Sequence, residues 1–266
     1  MRLQTVAASQ GALWVKQGFR AFFMRPLAFA MLFATFMFSV VLLALVPLFG
    51  ALILLALLPS VSLGFMIATR VALAGGMPTA RVFIEPLRTS KPQRNAMIQL
   101  GVLYAVATFA VMWFSDLVDG GAFEALMDSM PAGQTSPDAV AVKLAAPGLG
   151  LGVLLRFGLA ALLAVPFWHA PALVHWDGHG CAKALFSSTL ACWRNRGAFA
   201  VYSLVWFALI VAFGMIGSLI FAMLGQGQLF AVTAVPLSLG FTTVFYVSLY
   251  FTFADCFVTP PPEETS

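Results

Sequence analysis

Apolar residues gather in six long runs separated by short polar stretches, at about 27–49, 51–72, 96–114, 148–173, 198–224 and 229–257. Each run is close to the ~20 residues that cross a ~30 Å hydrocarbon core as a helix. Only Pro47 and Gly50 punctuate the first two runs, and Gly225-Gln226-Gly227-Gln228 separates the last two. Joints this short predict two tight antiparallel hairpins. A single kinked helix over 31–68 would instead reach ~57 Å at ~1.5 Å per residue, far beyond the core. The pattern predicts an all-α polytopic transmembrane bundle, a single integral membrane domain over 1–266.

The polar stretches differ in kind. Residues 8–24 have helical periodicity, with Trp14, Val15, Gly18, Phe19, Phe22 and Phe23 on one face and Lys16, Gln17 and Arg20 on the other. That is the pattern of an amphipathic helix at the membrane interface. The run after Arg25-Pro26 is too long for a signal-peptide core, and no small-x-small site closes it, so it is expected to be retained. Residues 116–147 are acidic and rich in turn residues, with a short helix expected at 121–130.

Composition agrees with a bilayer protein: 61% hydrophobic and 9% charged, against about half and about a quarter in soluble domains. The net charge of +4 gives no reason to expect nucleic acid. Its distribution is more informative. Twelve of the fourteen basic residues fall in 1–25, 70–94 and 183–196; Lys143 alone falls in the opposite loops, and Arg156 lies inside a span. By the positive-inside rule both termini are expected in the cytoplasm. Cys181, Cys192 and Cys256 form no CxxC pair and no disulfide framework, and on that side thiols stay reduced.

Ser62-Leu63-Gly64-Phe65 recurs as Ser238-Leu239-Gly240-Phe241, each in a returning span shortly after a proline, Pro59 or Pro236. An aromatic-basic segment precedes each hairpin. The suggested unit is surface helix, span, turn, span, in a parallel rather than inverted repeat, with spans three and four as a third copy.

Three short motifs lie near the ends of the spans. They are Trp14-x4-Phe19-x5-Arg25-Pro26, then Phe167-Trp168-His169-Ala170-Pro171-Ala172-Leu173-Val174, then Ala184-x3-Ser188 with Arg194-Asn195. With them the chain resembles, over nearly its whole length, an uncharacterised family of six-span proteobacterial inner-membrane proteins. These are similar in build to the membrane domain of some glycerophosphodiester phosphodiesterases. The resemblance implies a bacterial inner-membrane location and brings no catalytic residue or cofactor with it.

Candidate chemistry is sparse. His175, Asp177 and His179, with His169 upstream, are weak metal-ligand candidates by residue type and spacing. Glycines at 178 and 180 favour an ordinary loop there, with Trp168 and Trp176 as interfacial aromatics. Arg156 sits within span four, where a charge needs a partner or a wet cavity; Asp116 and Asp119 are the expected partners. Asp255 is its counterpart near the end of span six, with Arg70 or Arg196 expected beside it. Pro166 and Pro171 are expected to kink span four around His169. Glycines at 148, 150, 152, 158 and 214 are expected at close helix contacts.

No phosphate loop, GxSxG, HExxH or paired catalytic carboxylates appear. The leading expectation is therefore a non-enzymatic membrane protein without a cofactor, with a scaffold, assembly or lipid-organising role. Membrane lipids would be its partners, held at Lys16, Arg20, Arg194 and Arg196, together with a membrane-protein partner or a homo-oligomer. A transporter with a polar path at Arg156 and His169 is the alternative, and a metal-dependent enzyme at the histidines is the next.

Overall fold

The computed structural model describes residues 1–47, 49–129, 142, 144–225 and 227–258. Residues 130–141 and 143 of the expected outer loop, among them Asp138 and Lys143, lie outside the described residues, as do Gln226 and Pro260–Pro262. The helices, in order, are α1 (Gln10–Met24), α2 (Pro26–Ala44), α3 (Gly50–Leu73), α4 (Lys91–Asp119), α5 (Ala122–Ser129), α6 (Leu149–Phe167), α7 (Ala170–Asp177), α8 (Cys181–Arg194), α9 (Arg196–Met223) and α10 (Gly227–Cys256). Two 3-10 turns, Ala80–Phe83 and Glu85–Leu87, lie before α4. Among the described residues six helical segments are long and apolar enough to cross a membrane; the fourth is α6 and α7 together. These are the six spans the hydropathy pattern predicts. Span three extends beyond its apolar run at both ends, because Lys91-Pro92 and Asp116–Asp119 are polar yet helical.

Both hairpins form. In the first, a Cβ on Gly50 would overlap the Leu43 carbonyl oxygen, so α2 and α3 touch at the turn. One short pairing was not visible in the pattern. Arg2–Leu3 (β1) and Phe257–Val258 (β2) form a two-residue antiparallel ladder, Arg2 opposite Val258 and Leu3 opposite Phe257. It ties the two ends of the described chain together.

α1 is amphipathic as expected, but protein covers its apolar face. It runs in the same direction as the first turns of span five and against the direction of span six. A Cβ on Gly11 would overlap the Ala198 carbonyl oxygen, and one on Gly18 would come 2.6 Å from the Ser248 Cβ. The Phe19 ring stacks on Trp206 at 5.9 Å, and Trp14 is fully buried. Lipid tails are as apolar as leucine, so contacts of this closeness, not burial from water, hold such helices together. Gly101 of α4 approaches the Ala56 carbonyl of α3 in the same way. Gly152 packs on Asp119, whereas Gly150, Gly158 and Gly214 meet nothing within 4 Å.

The core is not spread evenly. Spans alternate in direction, so residues 10–36, 60–72, 96–105, 167–206 and 243–257 share one end of the bundle, and most buried residues lie there. Toward the other end large apolar side chains face outward: Leu45, Phe49, Phe109, Trp113, Leu154, Ile216 and Met223 are all exposed. The bundle is tight at its basic end and open to lipid at the other.

Substituting Gly11 by Val is expected to uncouple α1 from spans five and six, costing at least the ~1–3 kcal/mol typical of overpacking. Gly150→Ala, in open space, should leave stability unchanged. Thermal unfolding in detergent checks both.

A candidate functional site at the basic end of the bundle

Span four breaks between α6 and α7, where Pro166 and Pro171 withhold backbone donors from the helix ladder. The break is repaired from α8. The His169 N–H donates to the Ser188 hydroxyl at 2.9 Å, and that hydroxyl donates to the Val165 carbonyl at 3.0 Å. One hydroxyl thus replaces the missing bond between residues 165 and 169, a recognised cause of a sharp helix bend. Beyond the break, the Gln93 amide of span three donates to the Val174 and His175 carbonyls of α7, at 3.3 and 3.0 Å.

His169 is fully buried between Phe199, Phe253 and Phe257. Its Nε2 lies 3.2 Å from the Thr252 hydroxyl. That hydroxyl gives its own proton to the Leu249 carbonyl and accepts from Trp168 Nε1. His169 is therefore the donor to Thr252, with its proton on Nε2 and Nδ1 bare. Trp168 and Trp176 are half-buried and pack against Tyr202 and Phe253 respectively.

α1 is fastened by Asp255. The carboxylate accepts from Gln10 Nε2 at 2.6 Å and Trp14 Nε1 at 2.7 Å. Sequence reasoning expected Arg70 or Arg196 there. Instead α1 covers this face of span six, the Arg70 guanidinium lies over the Trp176 ring at 5.9 Å, and Arg196 lies over Trp193 at 5.6 Å. Asn195, at the joint between α8 and α9, is the second fastener. It accepts from the Val6 N–H and donates to the Gln4 and Ala191 carbonyls and toward Cys256 Sγ. The Met1 amino group lies 2.7 Å from Asp177, whose other oxygen is 2.9 Å from His179 Nε2.

The four metal candidates do not converge. His169 faces Thr252 in the interior, and His179 is engaged with Asp177. Burial, with Lys183 adding to it, holds His179 below the usual histidine value against the opposing pull of Asp177. Among the described residues no three His, Cys, Asp or Glu side chains come together in a way that could hold a metal.

Arg156 pairs with Asp116, the expected partner, and its guanidinium lies 4.3 Å from the centre of the Phe123 ring. Asp119 is buried and instead accepts from the Gly121 N–H. Arg156 and His169 are thirteen residues apart, ~20 Å along the span at helical rise. Four cavities measure about 490, 190, 330 and 410 Å³, and neither Arg156 nor His169 lines any of these four. Lys16, Arg20, Arg194 and Arg196 are all exposed. Arg194 reaches only the Thr5 hydroxyl, at 3.4 Å.

The short sequence motifs now have physical roles. Trp14 binds Asp255, Ser188 mends the break through the His169 N–H, and Asn195 holds the segment between β1 and α1 through Gln4 and Val6. Sequence reasoning missed Thr252 and Ser248 as partners, because single polar residues in apolar spans carry no periodic signal, and Gln93, because it sits among other polar residues before the third apolar run. Ser248, which meets the Tyr202 hydroxyl at 2.7 Å, is one example.

Replacing Asp255 by Ala should leave the Gln10 and Trp14 donors unpaired and cost ~2–3 kcal/mol. Asp255→Asn retains an acceptor oxygen and should cost clearly less. The shift in melting temperature of each variant checks the ordering.

No family model matches the chain, and no solved structure matches it. It is 37% identical over 265 residues to a probable inner membrane protein of Burkholderia thailandensis, an alignment covering 98% of this chain and 96% of that one. With six spans and this near full-length identity, the chain belongs to the family of that protein, multi-pass proteins of the inner membrane.

Proposed function

We propose that this inner-membrane protein is non-enzymatic and organises anionic lipid at the cytoplasmic leaflet, with its basic end and both termini on that side. The observation that carries the reading is uncompensated charge. Twelve Lys and Arg residues crowd the basic end. The ion pairs among the described residues are Met1–Asp177, Arg156–Asp116 and His179–Asp177, none of which neutralises any of those twelve. Anionic head groups attract such residues by ~1 kcal/mol each near the surface. The acidic side chains at this end are engaged internally where they could matter most: Asp255 fastens α1 and Asp177 holds Met1 and His179. Tight packing behind the rim supports a fixed presenting surface rather than a moving gate.

The test is a combined reversal, Lys16→Glu, Arg20→Glu, Arg194→Glu and Arg196→Glu. Losing ~4 kcal/mol of attraction corresponds to an affinity for anionic lipid lower by a factor on the order of 10³. Retention of phosphatidylglycerol by the purified protein, measured by native mass spectrometry, reads it out. Arg156→Ala should lower the melting temperature and leave retention unchanged. Undiminished retention in the quadruple variant would overturn the reading.

A further inference from the structure

Spans four and five are neighbours in sequence but are held apart at the basic end by α8. A groove of about 410 Å³ lies between them. Its walls are small: Ala161 and Ala164 on span four, Ala200 and Ser203 on span five. Trp168 and Phe199, edge to face at 5.6 Å, line its end nearest α8. At its mouth stand Trp193 and Arg196, both exposed, the guanidinium lying over the indole ring.

The depth of the groove fits one occupant. From Leu149, where span four begins, to Trp168 is nineteen residues, ~29 Å at helical rise, against a hydrocarbon core of ~30 Å. The mouth therefore falls where tails give way to head groups. From Trp168 back to Ala161 the groove descends seven residues, ~10 Å, most of the depth of one leaflet. The medium at that depth is acyl chain, and the cation at the mouth lacks an acidic partner among the described residues. We infer that this groove is a specific site for one anionic phospholipid, with an acyl chain against the alanine walls and the phosphate on Arg196. The inference rests on the lipid-organising reading, and narrows it from a charged rim to a built site.

Ala161 and Ala200 are exposed, so Ala161→Phe and Ala200→Phe fill the groove without entering the core. Native mass spectrometry of the full chain with dioleoyl phosphatidylglycerol should show one lipid retained per chain under conditions that strip the rest. Retention should fall at least tenfold in Arg196→Ala and in the double Phe variant, with melting temperatures measured in lipid-free detergent unchanged. Dioleoyl phosphatidylcholine should be retained at least tenfold less than phosphatidylglycerol, and dihexanoyl phosphatidylglycerol, with the same head and short tails, should not persist. Loss on groove filling while Lys16→Glu with Arg20→Glu has no effect would leave the groove standing and the rim reading fallen. Full retention in the double Phe variant while rim reversal strips lipid would overturn the groove and leave the rim. Equal retention of the two dioleoyl lipids would also overturn it.

Discussion

A helix that breaks within a membrane protein must have its freed backbone groups satisfied by protein, because hydrocarbon offers no hydrogen bonds. The rest of this structure depends on how span four meets that demand. Two prolines end its regular ladder, and the Ser188 hydroxyl stands in for the lost bond between Val165 and His169. To deliver that hydroxyl, α8 must lie against the end of span four. Asn195 ends α8 and also holds the segment between β1 and α1, and span five starts from there. The spacing of spans four and five, and so the groove between them, follows from a single repaired break.

The same economy explains why the packed layer is at one end. The polar partners that fasten helix to helix, Asp255 to α1, Gln93 to α7, Thr252 to His169 and Ser248 to Tyr202, all lie toward the basic end. Close glycine contacts at Gly11 and Gly18 add to them. Toward the opposite end the Arg156–Asp116 pair joins spans three and four, and much of the remaining surface is apolar and lipid-facing. Under the proposed reading, this tightly packed basic layer, with apolar helices rising from it, is the surface that holds head groups.

Much of the fold was legible because lipid imposes long apolar runs, and those runs set six spans and two hairpins. The Arg156–Asp116 pair was legible for a related reason: a charge in a span needs a partner, and few were in reach. The partner of Asp255 was not legible. Choosing between Arg70 and the pair Gln10 and Trp14 requires knowing that α1 packs on span six, which no local pattern states. The bridging role of Ser188 was hidden too, since a serine on an amphipathic helix looks like any other polar position. His169 drew attention as an isolated histidine between prolines, and its surroundings place it as a donor to Thr252 inside an aromatic cage.

The motif residues Trp14, Ser188 and Asn195 fasten one helix or segment to another, and the functional reading turns to what the fastened layer presents. That makes the repaired break the point to probe. Hydrogen exchange at the His169 amide in Ser188→Ala, compared with the parent protein, is the most direct measurement. The Val165 carbonyl keeps the Trp168 N–H and Cys192 Sγ as donors, so the loss falls on the His169 amide, and one unsatisfied buried donor costs ~1–3 kcal/mol. The account predicts faster exchange across 165–169 and a lower melting temperature, with Ser188→Thr closer to the parent. Unchanged exchange in Ser188→Ala would contradict it.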